Sequence, residues 1–191
     1  MLTVKKVSEN EYEDFLSFPK KIHSKNMLMQ KRSDEEMILK GTHTLSKYFS
    51  VTAFLCYDDD KVVARCAVTI YPEKSEGYIG FFDAKDNIGA VKKMFSVAEN
   101  FAKEIGVKKL TGPVDASFWI GYRMKSDKFS EERFFSEPYG KEYYPTLWRE
   151  CGYEIAETYV SNIYKKLSKK EDDDERYIKR YNYFIKKGYS I

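Results

Sequence analysis

Apolar and polar positions alternate from Leu2 to Val7, which predicts a short first strand. Ser8 and Glu11 stand at capping-box spacing, and Tyr12, Phe15 and Leu16 give the helix that follows one apolar face. Pro19 interrupts that helix and opens a further turn through Ile22 and His23. Ser33 with Glu36 repeats the cap spacing before Met37 and Ile38, and Gly41 ends this short helix. Two β-rich runs, Val51–Tyr57 and Val62–Tyr71, flank Asp58-Asp59-Asp60-Lys61 and read as a hairpin with an acidic, solvated turn. After a turn at Pro72–Glu76 comes a strand from Gly77 to Ala84, whose internal Gly80 signals a bulge or the close approach of another group. The period then changes. Ile88, Val91, Met94, Phe95, Ala98, Phe101, Ala102 and Ile105 recur at helical spacing, with Asp86 or Asn87 as N-cap and Gly106 as the stop. Val107 begins a second strand that ends at Gly112-Pro113. A strand, helix and strand of this length form a right-handed crossover between parallel neighbours.

Beyond Pro113 the pattern is irregular from Asp115 to Glu137, yet rich in aromatics: Phe118, Trp119, Tyr122, Phe129, Phe134 and Phe135. These side chains either line a pocket or pin the loop to the body. Tyr143–Cys151 reads as a short helix, and Tyr153–Leu167 as a long strand alternating through Ile155, Glu157 and Tyr159. Residues 172–187 then form a complete helix pattern, with Tyr177, Ile178, Tyr181, Phe184 and Ile185 in one stripe that predicts burial, docked on the body of the domain. Residues 188–191 resemble the start of another strand. The expected division is a domain over 1–167 with a helix and short strand at 168–191 appended to it.

Composition narrows the classes. The 191 residues fit one domain with a substantial core, and sixteen Tyr with thirteen Phe favour packed sheet or a ring-lined pocket over disorder. Thirty-three basic against thirty acidic residues leave a net charge of +3, with no clustered basic face to imply nucleic-acid binding. Cys56, Cys66 and Cys151 lack metal-ligand spacing and read as free thiols in a reducing compartment. No apolar run is long enough to span a bilayer and no signal-peptide core is present, so a cytoplasmic protein without membrane partner is expected. His23 and His43 have no ligand-type neighbour at metal spacing; surface or capping roles are expected for both, and no metal site.

The unit Gly77–Val114 resembles the fourth strand, third helix and fifth strand of the GNAT acyltransferase superfamily. A second resemblance lies at Glu137-Pro138-Tyr139 and Tyr143-Tyr144-Pro145-Thr146-Leu147-Trp148-Arg149-Glu150-Cys151-Gly152-Tyr153, similar to the signature PYNPPYYPELLEKAGF of one branch of that superfamily. The likeness covers roughly residues 10–167. It implies an α/β fold with a mixed sheet: antiparallel strands lead into a parallel, splayed β4/β5 pair, with helices on both faces. It further implies an acyl-CoA cosubstrate, most simply acetyl-CoA, and a small-molecule or peptidyl amine acceptor, with a homo-oligomer allowed. The resemblance puts pantetheine along Phe81, Phe82 and Asp83, and pyrophosphate at Lys85, Asn87, Ile88, Gly89 and Ala90, where a helix N-terminus offers unpaired N–H groups. The family's Q/R-x-x-G-x-G/A loop is altered: Lys85 stands for Gln or Arg and Ile88 for the middle Gly. The helix position of the family's acid Tyr is held by Trp148, whose indole N–H is no acid near neutral pH. Tyr143 and Tyr144, one turn earlier, are then the candidate acids. Asp83, Asp115 and Glu137 are the candidate bases. With the loop and the acid both altered, two functions stand: an N-acyltransferase, or a binding module of the same fold that has lost catalysis.

Overall fold

The computed structural model describes residues 1–72, 74–134, 137–162 and 175–189, which divide into two compact units, Met1–Ile155 and Ala156–Ile191. The expected boundary at 167/168 lies outside the described residues. In the first unit a five-stranded sheet runs in chain order, β1 (Leu2–Lys6), β2 (Ser50–Asp58), β3 (Lys61–Ile70), β4 (Glu76–Ala84) and β5 (Lys109–Thr111). The first four strands are antiparallel neighbours, and β4 with β5 is parallel. Helices α1 (Tyr12–Ser17), α2 (Pro19–Ile22) and α3 (Arg32–Leu39) precede β2. Helix α4 (Ile88–Glu104) makes the crossover between β4 and β5, and α5 (Tyr144–Glu150) follows the long loop.

Alternation of side chains across the sheet builds two cores. On one face, Phe54, Cys66, Val68 and Ile79 pack against Met94, Phe95 and Ala98 of α4 and Leu147 and Trp148 of α5. On the other, Leu55, Val62, Ala67 and Phe81 pack against Phe15, Phe18 and Ile38 of α1 to α3. The capping box at Ser8 forms as the spacing predicts, with the Glu11 carboxylate accepting the Ser8 N–H at 2.9 Å. The expected box at Ser33 does not form: α3 starts two residues earlier than such a cap would place it, at Arg32 with Lys31 as N-cap, so Ser33 lies inside the first turn instead of ahead of it. The hairpin turns at Asp59, and the Met1 ammonium bonds Asp58 and Asp59. Cys56 faces Ala64 and Cys66 faces Phe54, so these thiols are not opposed and both are free. Burial pushes the Cys56 thiol up to about 11.

Two departures shape the site. The β4/β5 ladder ends after three residue pairs, at Tyr78 and Thr111, although β4 continues to Ala84. A bulge also interrupts β4, where Arg65 pairs with Asp83 but Ala67 pairs with Gly80. Phe81 takes a left-handed φ of 49° there. The extra residue turns Phe81 toward the α1–α3 core while Phe82 and Ala84 face α4. Gly80 is required at this crossing, since a Cβ would lie 2.0 Å from the Val114 carbonyl oxygen.

The strand expected over Tyr153–Leu167 is absent where residues are described: 153–162 form no strand, and Ile155, Tyr159 and Val160 are exposed. A β5 of only three residues before Gly112-Pro113 provides little ladder for a sixth strand to extend. In the second unit, α6 (Glu175–Lys186) ends at Gly188, whose φ is 83°. The stripe residues Tyr177, Ile178, Tyr181, Phe184 and Ile185 all lie on this helix. Of the short strand expected at 188–191, residues 188–189 form no strand, and 190–191 lie outside the described residues.

Candidate active site

The site is the free edge of β4 beyond the point where β5 departs. Residue Ala84 turns both its N–H and its C=O away from β3, because its neighbours Asp83 and Lys85 make the contacts on that side. Two tyrosines from α5 and its N-cap meet those groups. The Ala84 N–H donates to Tyr144 Oη at 3.2 Å, and the Tyr143 hydroxyl donates to the Ala84 carbonyl at 2.8 Å. Tyr144 in turn donates its own proton to Asp83 Oδ1, 3.2 Å away. Burial, with Asp83 beside it, pushes the Tyr144 phenol far above its ordinary value. One bulge further back, the Phe81 N–H donates to Asp115 Oδ1. Burial pushes the Asp115 carboxyl up to about 7, against the pull of that N–H.

Behind the edge lies a buried ionic chain. Arg65, in the middle of β3, donates through Nε to Asp83 Oδ2 at 2.9 Å and through Nη1 to Glu35 Oε2 at 2.8 Å. It also reaches the Phe15 carbonyl and lies 4.7 Å over the Phe15 ring. Gln30 donates to Glu35 at 2.6 Å and to the Leu16 carbonyl at 2.9 Å. Burial works against charge on Arg65, but Glu35 and Asp83 outweigh it and keep the guanidinium charged. Burial likewise opposes the Asp83 carboxylate; Arg65 and then His23 outweigh it and hold the group below its usual range. The end of this chain is His23, whose Nε2 lies 2.6 Å from Asp83 Oδ1. Its side chain is 9 % exposed, which corrects the expected surface role. His43 is a cap, accepting the Leu45 N–H at Nδ1.

At the turn into α4, Lys85 donates its N–H to the Val63 carbonyl and Asn87 donates to the Lys85 carbonyl. Asn87 is the N-cap, its side chain accepting the Ala90 N–H at 3.1 Å. Intrahelical bonding begins at Val91, so the first-turn N–H groups of Ile88 and Gly89 have no partner within the helix. Phe82 sits under Tyr144 and Trp148, with ring centroids 5.0 and 5.4 Å apart, and Phe95 and Tyr153 complete the cluster. Trp148 is thus core. Glu137 accepts the Phe134 N–H within its own loop. In the long loop Phe118 makes edge-to-face contacts with Tyr78 and Tyr122, pinning that segment, while Trp119 is 90 % exposed. A hollow of about 290 Å³ lies elsewhere, between α3 and the start of β2.

The structure therefore brings Phe81, Phe82, Asp83, Tyr143, Tyr144 and Asp115 together, with Lys85 to Ala90 next along the chain. Sequence reasoning missed His23, Arg65 and Glu35. A lone Arg inside the apolar run Val62–Tyr71 was a usable signal, because a charge there demands buried partners.

No protein-family model and no curated protein matches the sequence, but solved structures match the fold. A tandem GNAT protein from the clavulanic acid biosynthesis pathway superposes with a TM-score of 0.55 at 11 % identity, covering 80 % of this chain and 43 % of its own. The aminoglycoside acetyltransferase AAC(6')-Iy, in complex with the bisubstrate analogue CoA-S-monomethyl-acetylneamine, gives 0.52 at 12 % identity, covering 88 % and 99 %. An aminoglycoside acetyltransferase from an uncultured soil metagenomic sample, in complex with sisomicin, gives 0.51 at 16 % identity, covering 87 % and 97 %. The fold of the chain is that of the GNAT acyl-CoA N-acyltransferases.

Proposed function

We propose that the protein is an acyl-CoA-dependent N-acyltransferase, most simply an acetyltransferase, acting on a small-molecule or peptidyl amine. The observation that carries this reading is the free length of β4: the strand runs past the end of its parallel partner and carries a bulge that redirects a backbone N–H. In this fold that edge can hold pantetheine as an added strand, with a bulge N–H polarising the thioester carbonyl. The N–H groups of Ile88 and Gly89 and the positive end of the α4 dipole suit the pyrophosphate. Similarity to acetyltransferases, one of them with a CoA-containing analogue, supports the same reading.

A second reading has its own observation. Phe81 and Ala84 already have partners at Asp115, Tyr144 and Tyr143. A fold that fills its own cosubstrate edge suits a binding module without catalysis. Calorimetric titration with acetyl-CoA separates the two. Saturable binding in the micromolar range is expected for the enzyme, with amide protection at 87–90; the absence of heat at millimolar acetyl-CoA leaves the binding module standing.

A further inference from the structure

We propose that His23 is the general base of the transfer, accepting the proton of the attacking amine at Nδ1 while Asp83 fixes the ring; this rests on the acyltransferase reading above. Asp83 is held ionised by Arg65, so it is an acceptor only, and the nitrogen 2.6 Å from it must carry the hydrogen. A neutral His23 is therefore the Nε2–H tautomer, and its lone pair stands on Nδ1. No hydrogen bond among the described residues reaches Nδ1. A histidine kept only for structure would have both nitrogens engaged or packed; this one has one nitrogen anchored and one available, as a catalytic base oriented by a carboxylate requires.

The charged neighbours of the ring lie on one side of it. The groups facing the ring are the Asp83 carboxylate and the edge of Tyr144, at 6.4 Å between centroids. Behind Asp83 stand Arg65 and Glu35. Two carboxylates against one guanidinium leave the cluster one positive charge short of balance, and an imidazolium at His23 supplies it. Tyr144 cannot take this role, because its own proton is committed to Asp83. Placement agrees as well. Asp83 lies two residues beyond Phe81 on the β4 edge, and His23 terminates α2 on the face where Phe81 and the α1–α3 core lie.

In the step itself the amine nitrogen attacks the thioester carbonyl carbon and a C–N bond forms. The C–S bond breaks, and its electron pair leaves on the CoA sulfur. The nitrogen's proton passes to His23 Nδ1 and from there to solvent or to the departing thiolate. Acyl thioester and amine become amide and thiol, with no change of oxidation state.

Two measurements on the full chain test this. Ring-nitrogen NMR of His23 at pH 8 is expected to show Nε2 protonated and Nδ1 bare; an Nδ1–H tautomer overturns the proposal. Thiol release from acetyl-CoA is then followed with sisomicin and with a lysine-ended peptide as primary-amine probes. His23→Ala is expected to lower kcat on the order of 10²- to 10⁴-fold, with KM for acetyl-CoA little changed. It should also lose the acidic limb of the pH profile, and added imidazole should restore part of the rate. Native kcat and pH profile in a folded His23→Ala protein overturn it, and so does acetyl-CoA binding without turnover of either amine. A native chain that fails to bind acetyl-CoA overturns the acyltransferase reading beneath it as well.

Discussion

A guanidinium inside a β-sheet is tolerable only if its donors are met, and Arg65 meets them with Asp83, Glu35 and the Phe15 carbonyl. Replacing it with Met keeps much of the volume but leaves two buried carboxylates facing each other without a cation. Arg65→Met is therefore expected to lose about 3–5 kcal/mol in urea unfolding; a loss below ~1 kcal/mol at pH 7 refutes the view that the chain is interdependent. Asp83 and Asp115 respond to pH in opposite senses. The folded value of Asp83 lies below its unfolded one, so the stability it contributes is full above about pH 4 and is lost as pH falls through the lower folded value. Asp115 is raised to about 7, so the folded state holds its proton longer than the unfolded chain does. Stability from this group falls as pH climbs from about 4 through 7 and is flat beyond. An amide at 115 can still accept the Phe81 N–H but never ionises. Asp115→Asn should thus exceed the native protein by at least ~1 kcal/mol at pH 8, with the difference shrinking toward pH 5. Urea curves at the two pH values check this, and an Asn variant less stable at pH 8 contradicts it.

Between elements, the decisive contact is that of α5 with the edge of β4. Removing both hydroxyls, as Tyr143→Phe with Tyr144→Phe, keeps the ring packing on Phe82 while freeing the Ala84 groups. Stability should drop by about 1 kcal/mol per bond. If β4 is the cosubstrate edge, acetyl-CoA affinity should rise several-fold, because its competitors for Ala84 are gone; weaker binding in calorimetry means the hydroxyls serve the ligand directly. Gly80→Ala drives a methyl into the Val114 carbonyl and should cost about 3 kcal/mol or more of thermal stability. Elements whose signals are local were legible in the sequence: the box at Ser8, the acidic hairpin turn, the stripe and Asn87 cap of α4, and its stop at Gly106. What stayed hidden depends on contacts distant in sequence. Nothing near Asp115 announces that it closes on Phe81, and nothing near His23 announces Asp83 sixty positions on. The alternation over 153–162 misled because it reports side-chain pattern, whereas a strand also needs a ladder to join, and β5 ends at Thr111.

At the scale of the whole molecule, both hydrophobic clusters are built from residues of the first unit, the last being Tyr153. In the second unit, helix α6 spans twelve residues. A helix so short is marginal in water when no tertiary contact supports it. Two i,i+4 partners, Glu175 and Lys179 at 3.1 Å, add only a few tenths of a kcal/mol. Backbone amides of α6 are therefore expected to open locally at little cost, while those of α4, which buries Val91, Met94, Phe95 and Ala98, exchange only by larger openings. Hydrogen–deuterium exchange on the full chain at pH 7 measures both helices in one experiment. Exchange in α6 should be complete within the first minutes, with α4 still protected after hours. Protection of α6 approaching that of α4 would show that the Tyr177–Ile185 stripe is covered in solution. Repeating the measurement over a hundredfold range of protein concentration would then tell a second copy of the chain, whose cover dilutes away, from one that is intramolecular.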